Sequence, residues 1–142
     1  MGRNREGGQS TGMPERNAPL KVFLADDSSL IRSRVVALLG SASTVTIVGE
    51  AQTPQSSIDG ILATLPDVVV LDVQLEGGSG LQVLRAIHLA EPDIAFVVFS
   101  NNAGPAYRKR YLSEGAVRFL DKSTEFDQLA QAVAAAPRHV RH

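Results

Sequence analysis

Residues 66–84 read PDVVVLDVQLEGGSGLQVL. Val68–Leu71 is an unbroken apolar run rich in β-branched side chains, the pattern of a short strand covered on both faces. It stops at a carboxylate, Asp72. Gly77, Gly78 and Gly80 then mark a loop, and their presence reads as turn chemistry. No Gly-Lys-Ser/Thr follows them, so the stretch is not a phosphate-binding P-loop. Beyond Ser79, a candidate helix cap, Leu81 and Leu84 return at helical spacing, with Ile87 or His88 next on the same face. The segment is therefore a strand, a loop and a helix.

The same unit recurs on either side. Leu20–Ala25, Val45–Glu50, Ile94–Phe99 and Val117–Leu120 read as further strands. Helical patterns follow each. The first is capped by Ser28 or Ser29 and carries Ile31, Val35, Leu38 and Leu39 up to Gly40. The second opens at Thr53-Pro54 and turns Ile58, Ile61, Leu62 and Leu65 inward. The fourth covers roughly Pro105–Glu114, ends at Gly115 and has a poor apolar stripe. The fifth follows Ser123 with Phe126, Leu129, Ala130 and Val133 on one face. Five successive β-α units imply an α/β fold, a doubly wound parallel sheet with helices on both faces. In such sheets ligands bind outside the carboxyl ends of the strands.

Composition sets the outer limits. The chain has 142 residues, about one domain. Lysine plus arginine number 14 against 15 aspartate plus glutamate, a net charge of −1 that argues against a dedicated nucleic-acid binder. With no cysteine, disulfides, thiolate zinc sites and cysteine nucleophiles are excluded. No apolar run approaches the roughly 18 residues that cross a bilayer. No secretory pattern opens the chain, so a cytoplasmic protein is expected. Residues 1–19 hold only three apolar side chains, Met1, Met13 and Ala18, and are expected to form a flexible tail. The domain is expected over 20–136, with a short basic tail at 137–142.

Each strand ends on a polar residue. The first runs into Asp26-Asp27, the third into Asp72, the fourth into Ser100 and the fifth into Asp121-Lys122. Singly, a strand-terminal aspartate is more often a turn former or helix cap. Together, at one edge of a parallel sheet, they form a carboxylate cluster with a hydroxyl and an ammonium. Clustered carboxylates repel unless a cation sits among them, and a hard divalent ion such as Mg²⁺ fits oxygen donors. The lysine suits an anionic oxygen, and an aspartate can itself be a nucleophile for phosphoryl transfer.

The segments VFLADDSSLIR, VVVLDVQLEGGSGLQVL, FVVFSNN and GAVRFLDKSTEFDQL carry a resemblance. They are similar to the receiver domain of bacterial two-component response regulators, a stand-alone chemotaxis-regulator-like one. The resemblance implies a flavodoxin-like strand order 2-1-3-4-5. It implies Asp72 as the phosphoacceptor for a histidine kinase or histidine phosphotransfer protein. Asp26, Asp27, Asp72 and the backbone carbonyl of Gln74 would make the Mg²⁺ shell, Asp26 largely through water. Lys122 would pair with Asp72 before phosphorylation and with the phosphoryl group afterwards. Ser100 would turn to that group, and Phe119 would be the aromatic switch that follows it. Gln74 and Asn102 stand where side chains modulate access of water. The domain would signal rather than turn over a substrate, beyond its own phosphoryl transfer and autodephosphorylation.

Three positions depart from the family pattern. Asn101 stands where a small residue is usual, and it would narrow access to the phosphoryl group or offer it an amide. Ser123 replaces the proline that usually follows the lysine. A non-proline cis bond costs about 2.5–4 kcal/mol, so Lys122-Ser123 is expected to be trans, with Ser123 free to cap the last helix. Phe119 lacks the hydroxyl of the tyrosine often found there.

Other polar residues read more plainly. His88 near a helix C-terminus is an ordinary placement. His139 and His142 belong to the basic tail. Tyr107-Arg108-Lys109-Arg110-Tyr111 mixes basic and aromatic residues, yet in a receiver it reads as a solvated, partner-facing fourth helix. Ile31 is expected in the core, with Leu30 turned to a partner. Without an output domain in the chain, the signal is expected to pass through a downstream protein or self-association over the fourth-helix, fifth-strand, fifth-helix face, with no membrane and no direct nucleic acid. Two alternatives stand beside this: an interaction module of the same fold that signals without phosphorylation, and a receiver fragment of a longer DNA-binding regulator. An aspartate-nucleophile hydrolase would want Asp-x-Asp where this chain has Asp26-Asp27-Ser28.

Overall fold

The computed structural model describes residues 18–140, so most of the expected N-terminal tail and the last two residues of the basic tail lie outside the described residues. Strands β1 (Leu20–Ala25), β2 (Val45–Ala51), β3 (Val68–Leu71), β4 (Ala95–Ser100) and β5 (Arg118–Asp121) form one sheet. All its pairings are parallel, and the order is β2-β1-β3-β4-β5. Val68–Leu71, the run expected to be covered on both faces, is the middle strand β3, with β1 and β4 beside it, while β2, half-buried, is an edge. A bulge between Val22 and Phe23 adjusts the β1–β2 register.

Helices α1 (Ser29–Gly40), α2 (Pro54–Thr64), α3 (Gly80–Ala90), α4 (Pro105–Ser113) and α5 (Leu129–Ala135) cover both faces. One core lies between the sheet and α2, α3 and α4, from Phe23, Leu71, Phe96 and Phe119 against Ile61, Leu84, Ile87 and Tyr111. The other lies between the sheet and α1 and α5, from Leu24, Val70, Phe99 and Leu120 against Val35, Leu39, Leu129 and Val133. Ile31 packs at the margin of this second core, and Leu30 is exposed.

Local sequence explains most helix starts. The Ser28 side chain accepts from the Ile31 N–H at 3.2 Å. Thr53 and Ser56 form a reciprocal capping box behind Pro54. The Gln82 side chain accepts from the Ser79 N–H at 2.9 Å. On α3, Ile87 is buried and His88 is exposed, which settles the choice between them. On α4 only Tyr111 is buried, as its weak stripe foretold.

The last helix begins differently from expectation. Ser123 does not cap it. The Ser123 N–H and hydroxyl both donate to Asp121 Oδ1, at 2.8 and 2.6 Å, closing a local turn instead. A 3-10 turn at Phe126–Gln128 then leads into α5, and helical structure continues as a second 3-10 turn at Ala136–His139. The Lys122-Ser123 peptide is trans, as are all described peptide bonds.

Candidate functional site

The parallel sheet delivers the strand ends to one edge. Asp26 follows β1 and donates its N–H to Ala51 O of β2 at 3.0 Å. Asp72 follows β3 and donates its N–H to Ala25 O of β1 at 2.9 Å. The β4–β5 register pairs Ser100 with Asp121, and the Lys122 N–H donates to Ser100 O at 3.0 Å. With the parallel β3–β4 pairing, these backbone bonds bring the ends of β1, β3, β4 and β5 together before any side chain is considered.

The side chains complete the cluster. Asp26 and Asp72 are each 6% exposed, Lys122 8% and Ser100 fully buried, while Asp27 is exposed. Lys122 Nζ lies 2.7 Å from Asp26 Oδ2 and 2.9 Å from Asp72 Oδ2. The second contact matches the expected pairing; the first was not anticipated. Asp26 Oδ1 accepts from the Ser28 N–H at 2.9 Å, and Asp72 Oδ1 from the Gln74 N–H at 3.4 Å. Asp26, Asp27 and Asp72 each offer a carboxylate oxygen, and these atoms all lie within 4.8 Å of one another. An all-oxygen set with one exposed member suits a hard, partly hydrated divalent cation.

Electrostatics within the cluster are one-sided. Burial pushes the Asp26 carboxyl above the usual carboxylate range, against the pull of Lys122 and the Ser28 N–H, and the charge of Asp72 adds to the rise. Burial works against the Lys122 ammonium, but its bonds to Asp26 and Asp72 outweigh that and hold it above its usual range. The lysine stays charged, while Asp26 keeps a net cost of confinement that Lys122 and the Ser28 N–H only partly offset.

The loop after Asp72 is shaped by glycine. Gly77 sits at φ +81°, a left-handed turn position. Gln74–Leu75 and Gly78–Ser79 make a short antiparallel ladder. Gly80 opens α3 directly against the Asp72 carbonyl, so that a Cβ there would collide with it. Thus Gly77 follows turn chemistry, while Gly80 serves close approach.

Ser100 Oγ accepts from the Asn102 N–H at 3.0 Å, and Asn102 Nδ2 reaches Gln74 Oε1 at 3.4 Å across the mouth of the site. Asn101 is exposed. Beside this mouth a cleft of about 460 Å³ runs between the loop after Asp72 and α4, with Gln74, Asn102, Tyr107 and Tyr111 in its wall.

The fourth helix holds what spacing did not disclose. The expected solvated face is only part of it. Tyr107 is 48% exposed, but Tyr111 is buried, its ring edge-on to Phe119 with centroids 6.0 Å apart. Its hydroxyl donates to Val73 O at 3.4 Å. Phe119, 2% exposed, therefore lies in the core between β5 and α4. The Arg108 guanidinium stands over the Phe119 ring at 5.0 Å and donates to Phe119 O at 2.7 Å. Arg32 on α1 likewise pairs with Glu50 at 3.2 Å and donates to the Asp26 carbonyl. No periodic signal marks either arginine; both roles follow from where their helices dock.

Known proteins share this architecture. The receiver domain of the response regulator NarL from Mycobacterium tuberculosis superposes with a TM-score of 0.79 at 31% identity, covering 85% of this chain and 98% of that one. A LuxR-family response regulator from Aurantimonas gives a TM-score of 0.81 at 25% identity, covering 87% and 89%. In sequence, a probable transcriptional regulatory protein NarL of M. tuberculosis is 33% identical over 124 residues, 87% of this chain and 56% of that protein. The DNA-binding transcriptional activator DevR/DosR of the same organism is 32% identical over 114 residues, 80% and 52%. This chain spans about half the length of these curated relatives. Residues 22–134 match the response regulator receiver domain family, and on that match, with the fold and the acidic strand-end cluster, the chain belongs to the receiver domains of two-component response regulators.

Proposed function

We propose that Asp72 accepts a phosphoryl group from the phosphohistidine of a histidine kinase or histidine phosphotransfer protein. The observation that carries this is the buried Asp72 carboxylate held by Lys122 beside Asp26 and Asp27. An Asp72 carboxylate oxygen attacks phosphorus as the N–P bond of the donor breaks, and the imidazole leaves with the electron pair and takes up a proton. Asp26, Asp27 and Asp72, with the backbone carbonyl of Gln74, would hold Mg²⁺, which supplies positive charge where phosphoryl oxygens gather. Lys122 steadies the incoming oxygens as a point charge already in place. Ser100 leaves the Asn102 N–H to donate to the phosphoryl group, and Phe119 responds.

Incubation with acetyl phosphate and Mg²⁺, read by intact mass, tests the reading. Wild type gains one phosphoryl group and Asp72→Asn gains none. An adduct that survives in Asp72→Asn sinks the assignment.

The same reading divides the chain into a receiver over 20–136 with tails at 1–19 and 137–142, working in the cytoplasm. Among the described residues no helix is long and apolar enough to cross a membrane. Output passes through a protein partner or a second copy, without direct contact to nucleic acid. A second reading is favoured by one observation, the half-length match to DNA-binding regulators: the chain is the receiver part of such a regulator, and output passes to a DNA-binding domain. Electrophoretic mobility shift with the encoded full reading frame separates the two.

A further inference from the structure

Arg108 ties three parts of the domain together. It sits on α4. Its guanidinium covers the ring of Phe119 at 5.0 Å and donates to the Phe119 carbonyl at 2.7 Å, both on β5. It also lies 3.6 Å from Glu125 Oε1. That same Glu125 oxygen accepts from the Asp121 N–H at 2.9 Å, so Glu125 is anchored to the loop that carries Lys122. Phe119 has no other polar handle, since its side chain lacks a hydroxyl. Tyr111, one helical turn on from Arg108, also packs edge-on against the ring.

We propose that Arg108 is the positioning residue that couples Phe119 to the fourth helix, standing in for the hydroxyl that Phe119 lacks. The inference rests on Asp72 phosphorylation as the input. The physical reason is geometric. A guanidinium stacked on a ring and bonded to the same residue's carbonyl cannot keep both contacts if the ring rotates away. Movement of Phe119 therefore either drags Arg108, and with it α4, or breaks the pair with Glu125. A change at the phosphorylation site is thereby read on the surface of α4, where Tyr107 is exposed. Lysine at 108 would keep the charge over the ring but lose the planar fork.

The test follows Phe119 ring signals and the amide signals of residues 106–111 by NMR while beryllofluoride and Mg²⁺ are added as a phosphoryl mimic. In wild type both sets shift together. In Arg108→Met, which keeps the apolar stem, Phe119 still responds but the α4 amides shift less than half as far. Arg108→Lys falls between, and serves as the second variant should Arg108→Met fold poorly, as judged by amide dispersion. Glu125→Gln leaves the stacking in place and retains most of the coupled shift. Wild-type-sized α4 shifts in Arg108→Met and Arg108→Lys overturn the proposal. Failure of the phosphorylation reading looks different: wild type then takes no phosphoryl group and responds to no mimic. The coupling is in that case read in the unliganded protein, where Arg108→Met must displace both Phe119 and α4 signals. Unchanged spectra overturn it.

Discussion

Lys122 is bonded to Asp26, at 2.7 Å, as closely as to Asp72, at 2.9 Å. One ammonium thus serves two buried carboxylates and leaves a net negative charge, on which a divalent cation held by Asp26 and Asp72 would also draw. Lysine and metal would be rivals for these carboxylates.

Removing the rival should favour the metal. Lys122→Met is expected to raise Mg²⁺ affinity several-fold, because like charges repel within the cluster. Titration of the variant with Mg²⁺, followed by NMR or calorimetry, checks this. Weaker binding than wild type would show that Lys122 instead holds the carboxylates in their binding arrangement.

Asp26 carries a cost in the metal-free protein. Its carboxyl is raised above the ordinary 3.8 chiefly by burial, so the folded state disfavours the ionised form. A raised carboxyl contributes stability below its ordinary value, and loses that contribution as pH rises through the folded one. At neutral pH, Asp26→Asn should therefore raise the melting temperature in Mg²⁺-free buffer. The gain should shrink as pH falls toward 3.8. The same variant should bind Mg²⁺ more weakly. Thermal melts across pH 4–8 decide it.

Tyr111 predicts an alkaline limit. Burial first of all, with the nearby charge of Asp72 adding, pushes its phenol from 10.0 up to about 12. The unfolded chain ionises first, so stability present below pH 10 is lost as pH rises toward 12. Two units correspond to ~3 kcal/mol. Denaturant melts at pH 9 and 11 should show this loss, and Tyr111→Phe should remove most of the difference. An equal loss in Tyr111→Phe would point to lysines instead.

Gly80 allows α3 to start against the Asp72 carbonyl. Gly80→Ala should destabilise the domain by about 1–3 kcal/mol, since the obstacle is backbone. It should also slow adduct formation at Asp72, because relief requires the Asp72 backbone to move. Gly104, with open space around its Cβ position, is the control: Gly104→Ala should change neither the melting temperature nor the adduct rate.

Much of the site could be read along the chain. Asp26, Asp72 and Ser100 each follow an apolar run directly and Lys122 follows one after Asp121, so knowing where a strand stops is knowing where its polar end lies. Parallel pairing then sends every such end to one edge. Helix starts were legible wherever the cap is local, as at Ser28 and Thr53. Ser123 caps no helix, although its bonds are local too. Its competing partner, Asp121 Oδ1, is equally local, and a turn that satisfies the Ser123 N–H and hydroxyl together outweighs a cap that would satisfy a helix N–H with one.

The sequence by itself determined the five β-α units, the buried strand Val68–Leu71, the acidic edge and its lysine, because hydrophobic period and strand termination act within a few residues. Only the tertiary structure decided that Lys122 bridges Asp26 and Asp72, that Tyr111 belongs to the core, and that Arg108 covers Phe119. Lys122 reaches across 50 residues to Asp72, while the contacts of Tyr111 and Arg108 join two neighbouring elements, α4 and β5. These last two depend on the angle and depth at which α4 docks on the sheet, and a helix with a weak apolar stripe does not encode its own docking. Its position is set by the few side chains that find partners there, Tyr111 with Phe119 and Val73, and Arg108 with Phe119 and Glu125.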